Sequence, residues 1–228
     1  MSTTKIEWAT KSWNPVTGCS PISEGCANCY AKRMSARLSG RYGYPKDEPF
    51  RVTFHPDKLD EPTHWRKPQK VFVCSMGDLF HEDVTDEALL QIFNIMREAN
   101  RHTYMLLTKR PARMKDFCSR LRFDHNGYGK VFLTKATDDC INNSSLPLMP
   151  LLRWVWLGVT AENQRTADER IPILLQIPAA VRFVSCEPML SRIDLVRYLD
   201  PVGGACGGEP EFCHLRLFYL VFFESPTI

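Results

Sequence analysis

The sequence predicts an α/β protein, a partial (β/α) barrel with mostly parallel strands. Short apolar runs of the buried-strand kind recur at residues 70–76, 104–107, 153–159 and 181–185. Helical patterns lie between them, so strand and helix alternate at βαβ spacing at least four times. Each strand end carries polar or sulfur-bearing residues: Cys19, Met76-Gly77-Asp78, Thr108-Lys109-Arg110, Thr160-Ala161-Glu162-Asn163 and Ser185-Cys186-Glu187. In a parallel barrel these five ends ring one mouth, the face that carries chemistry.

Residues 5–18 predict a short strand or extended segment, turned by Asn14-Pro15 before Gly18. Tyr30, Met34 and Leu38 recur at four-residue spacing, one face of a short helix that Ser39-Gly40 ends. Residues 40–70 are rich in Pro, Gly and charge and read as a surface excursion, with a brief strand at 51–55. Thr85 caps the helix after the second strand, with Asp86 and Glu87 in its first turn and Leu89, Ile92, Phe93 and Met96 on its buried face. Pro111 opens the next helix, through about Leu121. Residues 122–150 read as loop. Thr166 and Glu169 form a capping-box signature for the following helix, and Pro172 requires a kink or restart within it. Residues 193–199 predict a last short helix.

The chain has 228 residues, is 44% hydrophobic and carries a formal net charge of +3. That length supports a sizeable core, and the mild charge permits a polyanionic partner without arguing for one. No apolar run approaches a membrane span, and the amino terminus has no apolar signal core, so a cytoplasmic protein without membrane attachment is expected. Nine cysteines in a reducing compartment point to metal or redox chemistry rather than disulfides.

The cysteines concentrate in one loop. Cys19, Cys26 and Cys29 are spaced C-x6-C-x2-C, with Gly18, Pro21 and Gly25 shaping the chain around them. Three thiolates on one short loop hold a metal centre from one side and leave a position open. Two readings follow from the residues alone. One is an open-site iron–sulfur cluster. The other is a structural zinc site completed by Cys74 or His81. Cys74, Cys118, Cys140 and Cys186 otherwise read as buried small hydrophobes.

The wider motif set narrows this. Trp13-Asn14-Pro15-Val16-Thr17-Gly18-Cys19, Gly25-Cys26-Ala27-Asn28-Cys29-Tyr30-Ala31, Asp78-Leu79-Phe80-His81, Leu107-Thr108-Lys109-Arg110-Pro111, Trp156-Leu157-Gly158-Val159 and Arg182-Phe183-Val184-Ser185-Cys186-Glu187-Pro188 occur in this order. With the cysteine loop, they resemble a mostly phage- and prophage-encoded family of radical S-adenosylmethionine (SAM)-like proteins. The resemblance covers roughly residues 5–200. It implies a radical-SAM-type partial barrel and a [4Fe–4S] cluster on Cys19, Cys26 and Cys29. The uncoordinated iron would chelate SAM, whose reductive cleavage gives methionine and a 5′-deoxyadenosyl radical. It implies a reductant protein such as a flavodoxin or ferredoxin, and it leaves the substrate open, with a nucleic acid as one candidate. By position, Tyr30 would pack against the cofactor, and Met76, Gly77 and Asp78 would hold the SAM amine. Lys109 or Arg110 would meet its carboxylate, and Glu162, Asn163 and Glu187 would bind ribose hydroxyls or substrate. The alternative is a zinc-stapled nucleic-acid-binding or phage accessory protein without catalysis.

Residues 1–200 are therefore expected to form the domain. Residues 201–228 are expected to be an atypical tail, truncated or frame-shifted relative to that family, so that a sixth strand is missing or replaced. Within the tail, 217–223 is an apolar run suited to a terminal strand, and Cys206 and Cys213-His214 repeat the six-residue gap. A basic stretch at 97–122 (Arg97, Arg101, Lys109, Arg110, Arg113, Lys115, Arg120 and Arg122 against Glu98 and Asp116) is a candidate nucleic-acid face, with a solvated helix side as the plainer reading.

Overall fold

The computed structural model describes residues 6, 8–123, 131–134, 153–177, 179–199 and 219–221. In chain order the elements begin with β1 (Lys11–Trp13), β2 (Val16–Thr17), α1 (Tyr30–Arg37), β3 (Thr53–Phe54) and β4 (Lys70–Val73). Next come α2 (Asp86–Glu98), β5 (Thr103–Thr108), α3 (Pro111–Arg120), β6 (Leu121–Phe123) and β7 (Val131–Leu133). Then follow β8 (Val155–Thr160), α4 (Gln164–Leu175), β9 (Val181–Ser185), α5 (Val196–Leu199) and β10 (Tyr219–Val221). Six strands form one sheet in the order β1-β4-β5-β8-β9-β10, and every pair is parallel.

Alternation along the strands sorts the two faces. Val73, Leu106 and Leu157 stand in register and are buried. Against this face pack Leu89, Ile92 and Phe93 of α2, Met114 and Phe117 of α3, and Ile171 and Leu174 of α4. On the opposite face Phe72 of β4 and Phe183 of β9 both meet the Trp8 ring, at centroid distances of 4.7 and 6.3 Å. A flat sheet would hold those strands about 14 Å apart, so the sheet curls toward Trp8. It stays open: among the described residues no pairing joins β1 to β10. The architecture is an α/β fold with a curled parallel sheet, without barrel closure.

Thr85 caps α2, its side chain accepting from Ala88 N, and Pro111 sits at the start of α3, both as the sequence predicts. Two expectations are corrected. The cap of α4 is Asn163, whose side chain accepts from Thr166 N at 2.9 Å while Thr166 Oγ1 accepts from Asn163 N at 3.1 Å. Thr166 is thus the third helical residue rather than the cap, and α4 continues through Pro172 without restarting. Residues 121–123 and 131–133, expected as the start of a loop, pair as antiparallel strands. Leu121 and Val131 are buried there, on either side of the Asn126-Gly127 turn signal. Within the apolar run read as suited to a terminal strand, β10 pairs beside β9 in the sixth-strand position, in keeping with that reading. Cys140, Cys206, Cys213 and His214 lie outside the described residues.

Candidate functional site: a three-cysteine cleft at the sheet's carboxyl end

The cysteine loop is anchored at the strand ends. Asn14 Oδ1 accepts from Met76 N at 3.0 Å, Gly18 N donates to Met76 O at 2.9 Å, and Gly18 bridges to Gly77. Gly18 has φ of 87°, and a Cβ there would stand 2.2 Å from Arg51 O, so no other residue fits. Cys19 follows directly, its N donating to Phe50 O. A 3-10 turn at Glu24–Cys26 then leads to Cys29, which precedes the first residue of α1.

All three thiols line one cleft of about 150 Å³. Its other walls include Phe72 of β4, Cys74 just after that strand, Asp78, Lys109 and Thr160. Four of the five strand ends that the sequence singled out thus contribute to this cleft, through Cys19, Gly77 and Asp78, Thr108 to Arg110, and Thr160; the Ser185-Cys186-Glu187 end does not line it. Among the described residues, however, no three or more His, Cys, Asp or Glu side chains converge closely enough to hold a metal ion.

The charges around the cleft are largely committed to one another. Asp78 Oδ1 accepts from Phe80 N at 3.0 Å and Thr108 Oγ1 at 2.7 Å. Its Oδ2 accepts from Lys109 N at 3.2 Å and Arg110 Nη1 at 3.3 Å. Asp78 thus clamps the end of β4 to the end of β5. Arg110 continues to Cys19 Sγ at 3.4 Å, to Ser20 Oγ at 2.9 Å and to Glu82 at 2.9 Å. Glu162 is fully buried. Its Oε1 accepts from Ser23 Oγ at 2.8 Å and from Lys109 Nζ, and lies 3.5 Å from Arg170 Nη1. Its Oε2 has no partner. Gly25 makes this approach feasible, since a Cβ there would sit 2.6 Å from the Glu162 carboxyl carbon.

Thiol acidities differ accordingly. Burial, then the Asp78 carboxylate, pushes Cys19 up to about 11 against the pull of Arg110. Burial also acts to raise Cys26, but backbone hydrogen bonds at Ile22 and Ser23, the Ser23 hydroxyl and the Lys109 charge outweigh it, and its pKa falls. For Glu162, burial is likewise overcome by Lys109 and Ser23, and its pKa is lowered. Glu187 has no such partner; burial alone lifts its carboxyl to about 7.

The remaining predicted positions are spread around this centre. Met76 is buried against Ala31 and Tyr44. Gly77 lines the cleft. Asn163 faces its own helix as the α4 cap. Glu187 lies half-buried beyond β9. Tyr30 projects outward from α1, 61% exposed, and does not line the cleft. Of the two suggested fourth zinc ligands, Cys74 lines the same cleft as the three cysteines and His81 does not. Burial pushes the Cys74 thiol up to about 12. The His81 ring engages Ser20 Oγ at 2.7 Å and Asp83 N at 3.1 Å through its two nitrogens. Ser20, Ser23 and Arg170 escaped the sequence reading. Arg170 had a signal, being a charge inside the buried stripe Thr166, Ala167, Ile171 and Leu174, which demands a buried counter-charge.

Fold and site together define an α/β protein with a cysteine-lined cleft at the carboxyl end of an open parallel sheet. A family model described as "Protein of unknown function (DUF5131)" matches residues 3–214, and the chain belongs to that family. The match runs past residue 200. No curated protein and no solved structure matches the chain.

Proposed function

We propose that this protein is a radical-SAM-type enzyme that holds a [4Fe–4S] cluster on Cys19, Cys26 and Cys29. The observation that carries the reading is that these three thiols line one cleft at the strand ends. A single zinc ion needs its thiolates about 2.3 Å from one point. A cluster takes one thiolate per iron, so its ligands stand apart on the walls of a cavity. The donor set therefore suits a cluster better than a single ion.

When bound, such a cluster supplies the electron for reductive cleavage of a carbon–sulfur bond in SAM. The chain's own residues hold and shield. Arg110 donates to Cys19 Sγ and so favours its thiolate. Lys109 does the same for Cys26 through its charge. Phe72 and Leu107 give the cleft an apolar wall that limits water. The ammonium of Lys109, bridging Ser23 and Glu162, is the cation placed to receive a ligand carboxylate.

Anaerobic purification, reconstitution with iron and sulfide, and metal analysis test the proposal. About four irons per chain and 5′-deoxyadenosine formation from SAM under reduction are expected, both lost in Cys26→Ser and retained in Cys118→Ser. A colourless protein that retains zinc and takes up no iron would sink it.

A further inference from the structure

A second cleft, about 410 Å³, lies between the cysteine loop, α1 and residues 47–50. Cys19 and Phe50 line both clefts, so the outer one adjoins the cysteine site. Its volume is that of a small-molecule pocket. Lys32 and Ala36 form its α1 wall, and Asp47 and Glu48 its far rim, with Asp47 paired to Arg51 at 3.5 Å.

Along α1 and the turn after it the chain places cations and aromatic rings without partners. From Tyr30 to Lys46 it carries Lys32, Arg33, Arg37, Arg41 and Lys46 and no acid; Glu24 is the nearest exposed acid on the cysteine loop. Among the described residues none of these five side chains makes an ion pair or hydrogen bond, and of the five only Arg37 lies in the last turn of α1. Lys32 and Arg33 lie in the first turn of α1, where the helix dipole opposes a cation, and that turn holds no acid. Arg33 and Arg37 are four apart, so they share a face and repel. Tyr30, Arg33 and Arg37 form one exposed stripe. Such an arrangement costs local stability and is relieved by an external anion.

The turn after α1 adds a second, independent sign. Tyr42 has φ of 52°, an outlier for a bulky residue, and is 75% exposed. Lys58 Nζ donates to Tyr42 O at 3.0 Å, and Tyr44 N donates to Arg41 O at 2.9 Å, so the backbone is pinned while the ring stands in water. Tyr44, two residues on, is buried against Ala31 and Met76, which ties this turn to the cysteine end of α1. Exposed rings interleaved with cations form a stacking platform for unstacked bases on a phosphate chain. A duplex offers no such base faces. A membrane would require the apolar face of α1, which is spent on Ala31, Met34 and Leu38 packing inward.

We propose that the exposed stripe of α1 and the 38–46 turn bind single-stranded nucleic acid as the substrate of the cysteine site. As a statement about substrate it rests on the proposed function. The binding assay uses neither cluster nor SAM, so its failure and the failure of that reading are distinguishable.

The test is fluorescence anisotropy of the full chain with labelled RNA and DNA single strands of about 20 nucleotides, the matching duplex, and phosphatidylserine vesicles, across about 50–200 mM salt. Single strands are expected to bind, with log affinity falling linearly against log salt. The double charge reversal Arg33→Glu with Arg37→Glu weakens binding at least about tenfold and flattens the salt slope by about 0.7 per lost contact. Tyr42→Gly, which suits the backbone conformation, weakens it about five- to a hundredfold. Lys115→Ala on α3 leaves it unchanged. Melting curves establish that the variants fold; should the charge reversal not fold, Tyr42→Gly carries the test alone. Duplex or vesicle binding as tight as single-strand binding, or wild-type affinity in Tyr42→Gly, overturns the proposal.

Discussion

Residues 97–122 carry eight cations against two acids, and residues 30–46 carry five against none. In the first stretch the charges are spoken for inside the fold. Arg113 and Arg120 share Asp86 at 2.9 and 2.8 Å. Arg110 reaches Asp78 and Glu82, Lys109 reaches Glu162, and Lys115 reaches Gln176. Arg101 and Arg122 donate to backbone carbonyls, and Arg97 also has a partner. The face that composition marks as a nucleic-acid candidate is thus cross-linking for α2, α3 and the strand ends. In the second stretch the same residue types are left to solvent. A basic count says nothing about availability; the positions of the acids decide it.

The sharpest way to break that contrast is to remove an acid from the internally matched set. Glu162→Gln leaves Lys109 and Arg170 facing a neutral amide in a buried site. A loss of about 3 kcal/mol is expected, the lower end of the range for breaking a buried pair because Lys109 is 19% exposed. Chemical denaturation measures it. A loss below about 1 kcal/mol would mean that the network does not hold the cysteine loop to β8. Gly25→Ala, which drives a Cβ into the same carboxylate, should move stability in the same direction.

Asp86→Ala comes next, at about 1–2 kcal/mol, from two arginine contacts and a first-turn acid on α2. Burial acts to raise the Asp86 pKa, but Arg120 and Arg113 prevail and it lies below its ordinary 3.8. Its contribution is therefore complete above that value and is lost as pH falls through the lower folded value. The variant's deficit should be full at pH 7 and shrink toward pH 2 in parallel melts. Oligonucleotide affinity should not change, which separates the two basic regions directly.

Glu187 gives the opposite sign, because it has burial without a partner. Folded, it keeps its proton to about pH 7, against 4.5 when unperturbed. Between those values the folded state binds more protons than the unfolded one, so stability falls as pH rises through the window and the loss is complete above it. Glu187→Gln should melt on the order of 1–2 °C above wild type at pH 8. The gap should close by pH 5. A gap independent of pH would locate the gain in packing.

Much of the framework was readable before any coordinates. Val71, Leu106, Val155 and Phe183 mark their strands because a sheet covered by helices needs apolar runs. Thr85 and Pro111 mark helix starts through local chemistry that spans a few residues. The α4 register was missed because Asn163 and Thr166 are both capping types, and only geometry shows which one leads. The site was half legible. Four of its five strand ends do converge, but the commitments of their side chains were hidden, since Ser23 and Glu162 are 139 residues apart and Asp86 and Arg120 are 34 apart. For α1 the signal lies in the sequence itself, in an acid-free run of cations and tyrosines at 30–46, although 97–122 holds the larger count of cations.

The smallest expected effect is the most discriminating. Arg33 lies in the first turn of α1, against the dipole, and four residues from Arg37. Relieving both repulsions should stabilise the protein by a few tenths of a kcal/mol. Arg33→Gln is the variant to make, because glutamine and arginine have nearly equal helix propensity and the comparison then reads charge alone. The same change should weaken single-strand binding and reduce its salt slope. Stability up and affinity down is the signature of a charge placed for a partner outside the chain. Stability down by more than about 1 kcal/mol would give Arg33 an internal role like that of Arg113, and the distinction between the two basic regions would collapse.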